Sequence, residues 1–227
     1  FATTSCMKKY SLFIFLACGV LNIVSQFGMP TLEQITKPLL MISLALYYVY
    51  AASSGQRSTI VLLAILFSWV GDVLLMFQHS NSLFFIFGLG SFLVSHVFYI
   101  RCYQQHQGED TSNALNGVQR FRFSLPIILA GTGLITVLYT HLGDLKIPVI
   151  VYALVLILMV LNALFRSGRT NTHSFLLVFF GAVLFMISDS LIAINKFLVP
   201  VAQSGFWIMT TYIAAQYLII KGLVRHS

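Results

Sequence analysis

Residues 149–161 read VIVYALVLILMVL, thirteen consecutive positions without a charged side chain. A membrane β-strand alternates apolar and polar residues and ends after about 9–11 of them. This run does neither, so it reads as part of an apolar helix over about 147–165. Seven further segments of the same kind follow from the hydropathy pattern, at about 10–27, 38–53, 58–77, 82–103, 122–140, 173–194 and 205–221. Each meets the length expected for crossing a hydrocarbon core of about 30 Å. The composition agrees, with 58% hydrophobic and 8% charged residues among 227. A soluble domain carries about 25% charged residues. A water-soluble globule, a disordered chain and a fibrous repeat are thereby excluded, and the expected fold is an all-α integral membrane protein with eight transmembrane helices.

The connections orient the segments. With eight spans, Lys8, Lys9, Arg57, Arg101, Arg120, Arg122, Arg166, Arg169, Lys221 and Arg225 fall on the side of the N-terminus, and only Lys37, Lys146 and Lys196 on the other. The positive-inside bias places both termini in the cytoplasm. It also distributes the net charge of +7 between apolar runs rather than in a nucleic-acid-binding patch. The polar stretch Gln104 to Gln119 separates two halves that look related. Lys37-Pro38 opens the second segment as Lys146-Ile147-Pro148 opens the sixth. Ser54-Gly55-Gln56-Arg57 closes the second as Arg166-Ser167-Gly168-Arg169 closes the sixth, and Gly71-Asp72 in the third matches Ser188-Asp189 in the seventh. Two parallel four-helix repeats result, about 8–103 and 122–223, joined by a cytoplasmic loop at about 104–121 within one membrane domain, 7–227. Residues 1–6 (FATTSC) read as a remnant ahead of a natural start at Met7. The cysteines Cys6, Cys18 and Cys102 form no CxxC pair and point to neither a disulfide framework nor a metal site.

Of six acidic residues, Glu33, Glu109, Asp110 and Asp144 fall in or beside loops, and only Asp72 and Asp189 lie within spans. A carboxylate there costs about 2.5–3.5 kcal/mol on insertion scales and marks function by default. Each sits about five residues from the non-cytoplasmic end of its segment, at matching depth. Two such carboxyls with divergent protonation suit general acid/base chemistry. Lys37 at the outer mouth reads either as an anchor for a lipid phosphate or as an ordinary interfacial lysine. His96, with Tyr99 one turn on, reads either as a core hydrogen-bond donor or as a ligand. Asn22 with Gln26, and Tyr212 with Gln216, each share a helix face and serve as interhelical glue or cavity lining. No HExxH, GxSxG elbow or phosphate-binding loop is present, and no cofactor or metal is expected.

Lys37-Pro38, Gly71-Asp72, Phe85-x-x-Gly88-x-x-x-Phe92-x-x-x-His96-x-x-Tyr99, Ser188-Asp189 and Tyr212-x-x-x-Gln216 run in order along the chain. This set resembles the YhhN family of multi-pass membrane proteins, the lysoplasmalogenase family, over nearly the whole length from Met7. Ser95 departs from the small residue, often alanine, expected before the histidine. The resemblance implies a hydrolase that cleaves the vinyl ether bond of lysoplasmalogens to a fatty aldehyde and glycerophosphocholine or glycerophosphoethanolamine. For that reaction Asp72 and Asp189 are the expected catalytic residues, with Lys37, His96, Tyr99, Tyr212 and Gln216 expected around a lysophospholipid substrate. Such hydrolysis needs one protonated acid and one ionised carboxylate, as in glycosidases. A lipid or small-molecule transporter with a proton-coupled aspartate pair is the alternative class. A metal-dependent hydrolase on His96 is disfavoured, because His79, His106, His141, His173 and His226 lie at helix ends or in loops. The expected location is a bacterial cytoplasmic membrane, with the endoplasmic reticulum as the alternative.

Overall fold

Long apolar runs with few breakers leave the backbone no partner but itself in lipid, so every segment closes its hydrogen bonds as a helix. The computed structural model describes residues 2–53, 55, 57–78, 80–108 and 112–225, with backbone alone for residues 2–5. Phe1, Ser54, Gln56, His79, Glu109, Asp110 and His226, to which the sequence reading assigns roles, lie outside the described residues. Eight α-helices follow one another: α1 Ala2–Ser25, α2 Pro30–Ala51, α3 Thr59–Met76, α4 Ser82–Gln105, α5 Gly117–Leu138, α6 Lys146–Leu164, α7 Thr172–Phe197 and α8 Ser204–Val224. Two 3-10 turns, Tyr139–His141 and Gly143–Leu145, lead from α5 into α6. No strand occurs among the described residues. The residues expected to precede a start at Met7 continue helix α1 without a break.

Seven of the helices are long and apolar enough to cross a membrane, and α2 alone falls short. Its first two turns carry Glu33, Gln34 and Lys37, which leaves the apolar stretch from Pro38 to Ala51. That stretch spans about 21 Å at about 1.5 Å per residue. The helix begins at Pro30, eight residues before the expected boundary, because Pro30 occupies the first turn, where no N–H is needed, while Pro38 is carried inside. Lys37-Pro38 therefore does not open α2. Phe13, Val20, Ile35, Phe121, Leu129, Leu154, Leu158 and Phe180 are exposed along the other faces, an apolar exterior that suits lipid and not water.

The chain forms two compact units, Phe1–Tyr99 and Ile100–Ser227. In the first, α1 packs on α2 and α2 on α3. Asn22 donates to Thr36 Oγ1 at 3.0 Å, the interhelical role expected for it, and Trp69 Nε1 donates to the Pro38 carbonyl at 3.1 Å. Serines bind α3 to α4: Ser91 Oγ donates to Phe67 O at 2.7 Å, Ser95 Oγ donates to Ala64 O at 2.8 Å, and Ser68 and Ser95 hydroxyls share a 2.8 Å bond. The Ser95 departure noted in the sequence thus contributes to helix packing.

In the second unit α7 and α8 approach closely. A Cβ at Gly181 would lie 2.9 Å from Ile219 N and 3.0 Å from Ala215 O, and one at Gly222 would lie 3.0 Å from Ser174 O. Asn116 and Gln119 form a reciprocal capping box that starts α5 five residues before the expected boundary. At the end of the unit that holds the termini of α4, α6 and α8, Arg166 is fully buried. Its Nε and Nη2 donate to His106 O at 3.2 and 3.1 Å, and Nη2 donates to Ser174 Oγ at 2.9 Å. Ser174 Oγ in turn donates to Gly222 O at 2.7 Å, and Asn171 Nδ2 donates to Arg225 O at 2.6 Å. Burial lowers the Arg166 pKa to about 10, which leaves it charged at neutral pH. The adjoining turn needs Gly168, at φ +71°, because a Cβ there would strike Asn113 O.

Candidate active site

Asp72 belongs to the first unit. Ser68, one turn earlier on α3, faces Ser95 of α4, so the same side of α3 carries the carboxyl, which is 3% exposed. Gly71 beside it lets the Phe92 ring come close, since a Cβ there would lie 2.6 Å from Phe92 Cδ2. His96 and Tyr99 are both fully buried on α4. Because Ser95 meets Ser68 and Ala64, the level of His96 is a turn or more away from Asp72 along α3, and Tyr99 is one turn further. Lys37 lies two turns inside α2 with Nζ 3.7 Å from Glu33 Oε1 on the same helix face. The lysine is thus a partly covered ion pair within the helix and not a lone cation at a helix mouth.

Asp189 belongs to the second unit, on α7, and is 8% exposed. Tyr152 on α6 donates its hydroxyl to Asp189 Oδ2 at 2.6 Å. One turn before Asp189, Phe185 meets the Tyr212 ring edge-on with centroids 5.4 Å apart. Gln216 Nε2 donates to Tyr212 Oη at 3.2 Å, and Ser188 Oγ donates to Ile208 O at 3.1 Å. Tyr212 and Gln216 are buried on the face of α8 that packs on α7. The structure therefore gathers Asp189, Tyr212 and Gln216 along the α7 contacts and adds Tyr152, which the sequence reading passed over. The available signal was that Tyr152 carries the sole hydroxyl in the run 149–161.

The two carboxyls differ in their distance from the helix end. Asp72 is four residues before Met76, whereas Asp189 is eight before Phe197. Helix α7 continues past the expected boundary at 194 because Leu198 N and Val199 N both donate to Ile194 O. Chemically, each unit offers a buried carboxyl, and in the second unit a tyrosine hydroxyl on the adjacent helix bonds to it. Among the described residues no three His, Cys, Asp or Glu side chains converge.

Apolar helices that expose their hydrophobic faces, with carboxyls enclosed among them, define a multi-pass helical membrane protein. The model of the YhhN family matches residues 32–223, a range that includes both aspartates. The chain belongs to the YhhN family. Among its relatives, the lysoplasmalogenase of Mycobacterium tuberculosis is 30% identical over 217 residues, covering 91% of this chain and 79% of that protein. The human lysoplasmalogenase TMEM86B is 28% identical over 191 residues, 84% of this chain and 75% of that protein. The human lysoplasmalogenase TMEM86A is 30% identical over 193 residues, 82% of this chain and 73% of that protein. No solved structure matches the chain.

Proposed function

We propose that this protein is a lysoplasmalogenase, a hydrolase that converts a lysoplasmalogen and water into a fatty aldehyde and glycerophosphocholine or glycerophosphoethanolamine. The observation that carries the reading is the family match across 32–223 together with relatives named lysoplasmalogenase over most of the chain. The buried carboxyls of Asp72 and Asp189 support the chemistry. One of them, as the acid, gives its proton to the alkene carbon remote from oxygen, and the C=C electrons form the new C–H bond. The oxocarbenium-like centre that remains is attacked by water, whose proton passes to the ionised carboxylate. In the hemiacetal so formed, that second group returns its proton to the glycerol oxygen as the C–O bond breaks. The first group takes back the hydroxyl proton, so the aldehyde leaves and both carboxyls are reset. Lys37, sharing its charge with Glu33, holds the phosphate, while His96 and Tyr99 line the first unit's side of the reaction and Tyr212 and Gln216 the surroundings of Asp189.

The same proposal treats α2 as an eighth span whose polar first turns reach the headgroups, with both termini cytoplasmic and α1–α4 and α5–α8 as parallel repeats in a bacterial cytoplasmic membrane. The lysine and arginine distribution supports this orientation. The test is incubation of purified protein with a lysoplasmalogen and its saturated alkyl-ether analogue. Aldehyde is expected from the first alone. Asp72→Asn and Asp189→Asn are each expected to lower aldehyde release by at least about a hundredfold. Turnover close to the parent in either variant refutes the division of labour between the two acids.

A further inference from the structure

Tyr152 stands on α6 in a run that otherwise consists of aliphatic residues, and its hydroxyl reaches across to α7 and Asp189. At 2.6 Å the contact is a close hydrogen bond with Asp189 Oδ2 as the acceptor. Tyr152 is 8% exposed, and its neighbours Val149, Leu156 and Ile157 on α6 are buried. The phenol ring is therefore held by packing, and its one proton is aimed at one carboxylate oxygen.

We infer that Tyr152 is a positioning residue that fixes the direction of one Asp189 oxygen for the proton transfers of the reaction. The inference rests on the lysoplasmalogenase reading above and holds for either proton role of Asp189. Throughout, the tyrosine hydroxyl keeps its own proton. Its contribution is to hold one Asp189 oxygen in the direction that proton transfer needs, so the effect belongs to turnover and not to substrate affinity.

The test is Tyr152→Phe, which keeps the ring and deletes the hydroxyl, assayed as aldehyde release from a lysoplasmalogen in detergent or liposomes. The rate is expressed per folded protein, measured as the monodisperse fraction on size-exclusion chromatography. The expected result is a kcat lower by about ten- to a hundredfold, the cost of leaving a buried acceptor without its donor, with KM within about twofold of the parent. An unchanged kcat, a rise in KM that accounts for the whole effect, or a loss that disappears on normalising to folded protein each overturns the inference. These outcomes differ from failure of the functional reading, in which the parent protein itself releases no aldehyde and the inference falls with it.

Discussion

Replacing Arg166 by methionine deletes the guanidinium while filling much the same volume with an apolar stem. The side chain is fully buried and serves two acceptors, His106 O through Nε and Nη2 and Ser174 Oγ through Nη2. Each acceptor loses a donor that carries charge, about 1.5–3 kcal/mol apiece. The two together give at least about 3 kcal/mol, which for a chain of this size lowers Tm by at least about 6 °C. Arg166→Lys keeps a charge but cannot fork between two acceptors, so it falls between parent and methionine. A thiol-reactive dye suits the measurement in a Cys6→Ser background, because Cys6 is exposed whereas Cys102 is buried and its carbonyl contacts His106 Nδ1 at 2.8 Å. Unfolding in detergent uncovers that thiol, and the dye reports the transition. A methionine variant whose Tm lies within about 2 °C of the parent, which is under about 1 kcal/mol on the same scale, refutes the account of Arg166 as the hub that joins these helix ends.

Gly181→Ala is expected to destabilise by about 1–3 kcal/mol as overpacking, because the added methyl meets Ile219 N and Ala215 O, which cannot move without parting α7 from α8. The readout is the same dye-monitored Tm, and an unchanged value contradicts the closeness of that helix pair. Burial lowers the His106 pKa from 6.5, and the Arg166 charge adds to this against the bond to the Cys102 carbonyl. The unfolded chain therefore takes up a proton first on acidification. The His106 contribution to stability is complete above about pH 6.5 and is lost as pH falls toward the lowered folded value. Tm measured between neutral and mildly acidic pH is expected to fall more in the parent than in His106→Gln, and parallel curves sink the reading.

The run 149–161 and its counterparts make the helical membrane class legible, because lipid leaves an uncharged segment of that length no other way to pair its backbone. Boundaries were harder to read, for reasons visible at two places. Pro38 suggests a helix start, yet α2 begins at Pro30 and carries Pro38 inside, where Trp69 donates to its carbonyl. The start of α5 is set by the reciprocal bonds of Asn116 and Gln119, a local polar pair that hydropathy does not register. Among candidate site residues, Asp72 and Asp189 were identifiable because a charge inside an apolar run is costly. Tyr152 was not, since a tyrosine satisfies an apolar pattern and its hydroxyl gains meaning only from Asp189 on another helix. Arg166 reads in the sequence as one of the charges that orient the chain, but it is enclosed and bonds helix termini together. Burial of that kind depends on which helices close over a residue, and no linear pattern carries that information.

Helix α7 has 26 residues, about 39 Å of length at about 1.5 Å per residue. A hydrocarbon core is about 30 Å thick. The excess leaves the helix two options, inclination to the bilayer normal or projection of the turn around Asn195 and Lys196 into the headgroup layer. In either case the depth of Asp189 follows bilayer thickness, because it rides on a helix longer than the layer it crosses. On the proposed catalytic role of Asp189, hydrophobic mismatch thereby becomes a variable of the chemistry. A thinner membrane inclines α7 further and moves the carboxyl relative to the plane in which a single-chain lipid presents its first two carbons.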